Sequence, residues 1–212
     1  MKALIIGATG ATGKDLINVL LADNAYHQIV IFVRRPSGMK HPKLVEIITD
    51  FNKLNEISVD IKGDVWFSCL GTTLKTAGSK EKQWQTDYEI PARFAEIAKR
   101  NGVKSAVLLS SYGASANSQV FYSSIKGKLE AHISSLAFAQ FIIFRPGVLL
   151  REETDRIGER LTVSALKLLN GFGLMRKFRP LPTRELAEKI AKAPKLMGSG
   201  IHVIELDQIP AI

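Results

Sequence analysis

Three observations predict a single-domain α/β fold built on a doubly wound parallel sheet. Short apolar runs rich in β-branched residues alternate with helical patterns, as expected of parallel strands joined by crossover helices. A glycine cluster lies directly between the first apolar run and the first helical pattern. The length, 212 residues, suits one domain or one domain with a small appendage. Hydrophobic residues make up 46% and charged residues 23%, ordinary globular values that supply a core without disulfides or metal. Cys69 is the only cysteine, which excludes an intramolecular disulfide and a multi-cysteine metal site and points to a reducing compartment.

The elements follow in order. Strands are expected at Lys2 to Ile6, Ile29 to Val33, Leu44 to Ile48, Val65 to Cys69, Ser105 to Ser110, Phe141 to Arg145 and His202 to Glu205. Between the first two, Leu16, Ile17, Leu20 and Leu21 recur at helical spacing within Asp15 to Leu21 and form one apolar stripe. A second helix is predicted from about Asp87 to Arg100, with Pro91 near its first turn and Asn101-Gly102 as its stop. Glu185 to Ala193 reads as a third, with Thr183 as its N-cap. The domain spans 1–212, with a small substrate or lid region over 151–180. That region holds a helical pattern from Asp155 to Leu169 and the hinge candidates Gly171 and Gly173.

The formal net charge of +9 and pI of about 9.7 raise nucleic acid as a partner. The lysines and arginines are spread along the chain, however, with no block of about five like charges and no interleaved stacking aromatics. Nucleic-acid binding is therefore not expected. Met1 to Gly7 is too short for a signal peptide, and no apolar run approaches the roughly 18 residues of a membrane span. The expectation is a cytoplasmic protein with no membrane or nucleic-acid partner, a monomer or homodimer.

The first chemical signal is Gly7-Ala-Thr9-Gly10-Ala11-Thr12-Gly13, after an apolar strand and before an amphipathic helix. Glycines there permit a tight turn and close approach of the backbone and helix N-terminus to a pyrophosphate, with Thr9 and Thr12 as added donors. The same glycines would also serve a turn used only to pack helix on strand. The second signal is Arg34-Arg35, about 20 residues further on, where an NAD site places an acid on the ribose 2′-hydroxyl. An arginine pair suits a 2′-phosphate instead, so NADP(H) is the expected cofactor; solvated charges at a strand end would look the same. Asp50-Phe51, after the third strand, is placed to flank the adenine.

The third signal is Tyr122 and Lys126, four apart and so on one helical face, preceded by Ser110-Ser111 at a strand end. An ammonium favours a neighbouring phenolate, which lets a phenol exchange a proton with a carbonyl or alcohol oxygen. Four-residue spacing alone also describes a surface Tyr and Lys on an ordinary helix.

With Cys69-Leu-Gly-Thr-Thr73, Leu108-Leu-Ser-Ser111, Lys126-Gly127 with Glu130, and Phe144-Arg-Pro-Gly-Val-Leu-Leu150, these motifs resemble the atypical short-chain dehydrogenases. The likeness is to the Tat-interacting-protein branch and its bacterial relatives, over about residues 1 to 150. The resemblance implies a Rossmann fold binding NADP(H), with Ser111, Tyr122 and Lys126 in the serine, tyrosine and lysine positions. Ser111 is chosen over Ser110 because neighbours on a strand face opposite sides. The resemblance also implies that Leu70, Gly71 and Thr72 run beside the nicotinamide ribose and pyrophosphate, and that Pro146, Gly147 and Val148 lie near the carboxamide. Cys69 reads as a small buried hydrophobe. The expected function is hydride transfer between nicotinamide and a small carbonyl or alcohol substrate. The alternative is an NADP(H)-binding redox sensor or interaction protein without turnover.

Overall fold

The computed structural model of the chain describes residues 1–150 and 180–212. Seven parallel strands make the main sheet: β1 (Lys2–Ile6), β2 (Gln28–Val33), β3 (Leu44–Ile48), β4 (Val65–Ser68), β5 (Ser105–Leu109), β6 (Gln140–Arg145) and β9 (Gly200–Glu205). Their order is β3-β2-β1-β4-β5-β6-β9, the reversal falling between β1 and β4 as in a doubly wound sheet. Two short strands, β7 (Leu149–Leu150) and β8 (Leu181–Pro182), pair separately. The 151–180 region lies, as far as residue 179, outside the described residues.

Alternation along β1 shows how the sequence produces two faces. Ala3 and Ile5 join one core, with Leu16, Ile17 and Leu20 of helix α1 (Ala11–Ala22) and Leu186 and Ile190 of the last helix. Leu4 and Ile6 join the other, with Trp66, Phe94 and Leu129. All of these side chains are buried, and each leucine, isoleucine and phenylalanine among them is worth about 1.5–3 kcal/mol in removal from water. The inner strands, buried on both faces, read as continuous apolar runs; the edge strands β3 and β9 are partly exposed, and β9 starts two residues before the expected His202.

The helices depart further from expectation. The segment expected to start at Asp87 starts at Lys80 instead: α3 (Lys80–Trp84) passes through one π turn (Gln85–Glu89) into α4 (Ile90–Arg100). Ser79 caps it, its Oγ accepting from the Lys82 N–H. Pro91 brings no N–H to an i−4 carbonyl, and the widened turn, in which the Ile90 N–H reaches Gln85 O, carries the helix past it. A four-residue helix, α2 (Leu74–Ala77), precedes this run, and α5 (Phe121–Ser135) follows β5. Thr183 is not the N-cap of α6 (Thr183–Leu196): it is the buried first helical residue, with Pro182 in the cap position and no side-chain cap bond. No described helix is long and apolar enough to cross a membrane.

Candidate functional site

The glycine loop lies at the carboxyl end of β1, beside the point where strand order reverses. Its glycines do different jobs. Gly7 has φ +81°, and a Cβ on it would lie 2.4 Å from the Cys69 carbonyl carbon; one on Gly13 would lie 2.1 Å from Gly7 O. Both are needed to bring α1 onto β1 and β4. A Cβ on Gly10 would meet only Gly7 O, at 3.4 Å. Gly10, Ala11 and Thr12 line a cavity of about 630 Å³. The first turn of α1 carries no side-chain cap and no acid, so its N–H groups and dipole face the cavity uncompensated. That is the donor set a pyrophosphate requires.

The opposite wall is the loop after β4, which is held from three directions. Lys126 Nζ donates to Leu70 O at 3.1 Å, the Thr72 N–H donates to Asp87 Oδ1 at 2.8 Å, and Gln83 Nε2 donates to Thr72 O at 3.2 Å. Gly71 lies against the lysine, its absent Cβ 3.6 Å from Nζ. Asp87 is fully buried and its Oδ2 has no partner. Burial pushes its carboxyl above the ordinary value, opposed by the Lys126 charge and the Thr72 N–H. Cys69 also lines the cavity; burial raises its thiol to about 12, with Lys126 pulling the other way, so it is a neutral thiol at physiological pH.

Ser111, Tyr122 and Lys126 line this same cavity. Lys126 is buried, its Nζ 5.9 Å from the Tyr122 ring centroid, while Tyr122 is 36% exposed and opens to the cavity. The serine pair lies beyond the end of β5 and not on the strand, so alternation does not separate the two. Bonding does. Ser110 is buried and donates to Glu130 Oε1, whereas Ser111 Oγ makes only a 3.3 Å bond to Tyr112 O. Glu130 also takes Arg145 Nε at 3.1 Å and Nη2 at 2.6 Å, and Arg145 Nη1 reaches Glu205 at 2.8 Å. The bonds to Glu130 hold the Arg145 guanidinium well above its ordinary value. This network ties α5 to β5, β6 and β9, and Gly127 lets α5 close on the preceding loop, since a Cβ there would lie 2.1 Å from Ser115 C.

Of the other expected positions, Leu70, Gly71, Thr72, Pro146 and Gly147 line the cavity; Val148 does not, and Leu149 takes its place. Arg34 and Arg35 are exposed beyond β2, without an ion pair among the described residues. Phe51 is a core residue, packed with Val30, Phe32 and Leu54, so its ring is not available to an adenine. Asp50 stays exposed, where it caps a short turn by accepting from the Asn52 N–H. Thr9 is exposed outside the cavity lining. Sequence reasoning missed Lys80 and Gln83 as cavity groups, and Asp87 as the buried acid that holds the loop behind them. Ser79 was the available signal, a helix-capping residue four positions before Gln83 and eight before Asp87.

An open parallel sheet with an anion-accepting helix start at its switch point defines a nucleotide-binding α/β protein. Residues 7–169 match the family model described as NAD(P)H-binding, and the chain belongs to that family. It is 38% identical over 165 residues to Protein HTATIP2 of Rattus norvegicus, covering 76% of this chain and 68% of that protein. It is 33% identical to the mitochondrial Protein FMP52 of Debaryomyces hansenii, over 99% of this chain and 98% of that one. Among solved structures, MoeE5 in complex with UDP-glucuronic acid and NAD superposes with a TM-score of 0.74 at 17% identity, over 97% of this chain and 76% of that chain, a likeness of fold.

Proposed function

We propose that the protein is an NADP(H)-dependent short-chain reductase acting on a small carbonyl compound or the corresponding alcohol. One observation carries the reading: Ser111, Tyr122 and Lys126 share a single cavity with the uncapped start of α1. Bound NADPH supplies a hydride from nicotinamide C4. Gly10, Ala11 and Thr12 receive the pyrophosphate, and Arg34 and Arg35 hold the 2′-phosphate. Ser111 Oγ donates to the substrate oxygen and fixes its position. Tyr122 Oη gives that oxygen its proton as the alcohol forms, and takes it back in the reverse direction. The Lys126 ammonium stabilises the charge left on the phenolic oxygen and contacts the nicotinamide ribose. Ser110 is committed to Glu130, which supports Ser111 as the serine that meets substrate. The same reading places the protein in the cytoplasm as a monomer or homodimer, without nucleic-acid or membrane partners, although the FMP52 relatives carry a mitochondrial name.

The test is loss of NADPH absorbance against a panel of aldehydes, ketones and quinones. Tyr122→Phe should lower turnover by about 10² to 10⁴ while leaving NADPH affinity within about twofold. Full activity in that variant would remove the tyrosine from the reaction. NADPH binding with no reaction across the panel would favour the sensor reading over the enzyme.

A further inference from the structure

Two features of the cavity are not used by the proton and hydride chemistry. One is an apolar wall, to which Leu74, Val120, Phe121 and Leu149 contribute; Leu74 and Val120 are exposed at 47% and 62%. Exposed apolar surface gathered around a concave site marks a ligand contact. The other is Lys80, an exposed cation in the lining. It is the first residue of α3, the end of a helix where the dipole disfavours positive charge and acids are the usual occupants. It makes no ion pair among the described residues, and no carboxylate is found among the described residues that line the cavity. Its Nζ lies 5.3 Å from the centroid of the Phe121 ring, which stations the ammonium beside the residue preceding Tyr122. The other cation among the described residues of the lining, Lys126, is buried and bonded to Leu70 O.

We propose that the substrate carries its carbonyl on an apolar body that ends in an anionic group, a carboxylate or a phosphate, and that Lys80 reads this group. The proposal rests on the reductase reading above. A cation with no ion pair among the described residues, beside an aromatic face and in a cavity wall free of acids among its described residues, gains a charge-assisted bond from an anionic ligand and only a weaker hydrogen bond from a neutral one. The apolar wall receives the rest of the molecule. Specificity then comes from the charged end, because apolar contacts alone discriminate weakly.

The test uses the full chain with NADPH and three matched aldehydes: para-carboxybenzaldehyde, its methyl ester and para-formylphenyl phosphate. The unmodified protein should favour an anionic aldehyde over the ester by about tenfold or more in kcat/KM, mostly through KM. Which anion is preferred identifies carboxylate or phosphate as the group read. Lys80→Gln should bring the ratio within about twofold, Lys80→Arg should keep it, and Lys82→Gln, on the same helix but outside the cavity lining, should leave it unchanged. Equal use of ester and anions by the unmodified protein, or a preference that survives Lys80→Gln, overturns the proposal and leaves the reductase reading intact. If none of the three aldehydes is reduced, the wider carbonyl panel decides the reductase reading and calorimetry on NADP⁺-loaded protein decides the inference separately. Binding of para-methylbenzoate over its methyl ester, lost in Lys80→Gln, upholds it; equal binding or none overturns it.

Discussion

Two regions at the carboxyl edge of the sheet are built on opposite plans. Around β1 and β2 the exposed polar groups are the backbone N–H groups of the α1 start, which line the cavity, and Arg34 and Arg35, which are not among its described lining residues; the fold uses none of them for packing. Around β5 and α5 most polar groups are already bonded within the protein, Lys126 to Leu70, Asp87 to Thr72, and buried Ser110 and half-buried Arg145 to Glu130, with Ser111 and Tyr122 left open to the cavity. Function can be removed from the first region without disturbing the protein. In the second, the atoms that shape the cavity also hold the helices to the sheet, so a change there is read in stability as well as in binding.

The glycine loop contains this contrast within seven residues and should show the largest effects. Gly13→Val puts side-chain carbon into the Gly7 carbonyl and should cost about 4 kcal/mol or more, leaving little folded protein by circular dichroism. Gly10→Val meets only an ordinary contact within the protein, so the chain should fold, while the valine projects into the space a pyrophosphate needs and NADPH binding is lost. A folded, nucleotide-binding Gly10→Val protein would show that the loop serves packing alone.

The same contrast decides what could be read from sequence. The strands were legible because Leu4, Ile6, Val30, Ile142 and their neighbours face helices on both sides and so form unbroken apolar runs. The Gly7 to Gly13 loop was legible because its chemistry lies in residue type: only glycine tolerates the close approaches at Gly7 and Gly13. The face holding Gln83 and Asp87 was not. Pro91 reads as part of a first turn that begins near Asp87, and nothing in the one-dimensional pattern shows that a π turn joins it to helix starting seven residues before Asp87, at Lys80. Phe51 was misread because an aromatic after a strand looks alike whether it packs inward or awaits an adenine. Alternation does not choose between the serines, since both lie past the end of β5 and both line the cavity; what distinguishes them is the bond of Ser110 to Glu130, a partner twenty positions away that reaches it only through the packing of α5 on β5.

An intermediate effect tests the exposed region by itself. If Arg34 and Arg35 grip a 2′-phosphate, NADPH should bind at least about tenfold more tightly than NADH, about 1.4 kcal/mol. Replacing both with alanine should erase that preference and leave the melting temperature unchanged, because neither side chain is packed or paired among the described residues. Equal calorimetric affinities in the unmodified protein would make the pair ordinary surface charge.

The smallest effect tests the buried region, through Asp87. Burial raises its carboxyl above the ordinary 3.8, with the Lys126 charge and the Thr72 N–H opposing. The native state therefore keeps this proton to higher pH than the unfolded chain does. The contribution of Asp87 to stability is greatest below the unfolded value and falls as pH rises from about 3.9 towards the raised native value. Asp87→Asn carries no charge and retains an oxygen for the Thr72 N–H, so it removes that fall. Its melting temperature should match the unmodified protein at pH 4 and exceed it modestly at pH 7. Asp87→Leu separates charge from bonding: it also abolishes the pH dependence but strands the Thr72 N–H, at a cost on the order of 1 kcal/mol at every pH. A difference between Asp87→Asn and the unmodified protein that does not grow from acid to neutral pH would mean that the Lys126 charge and the Thr72 N–H outweigh burial at this carboxyl.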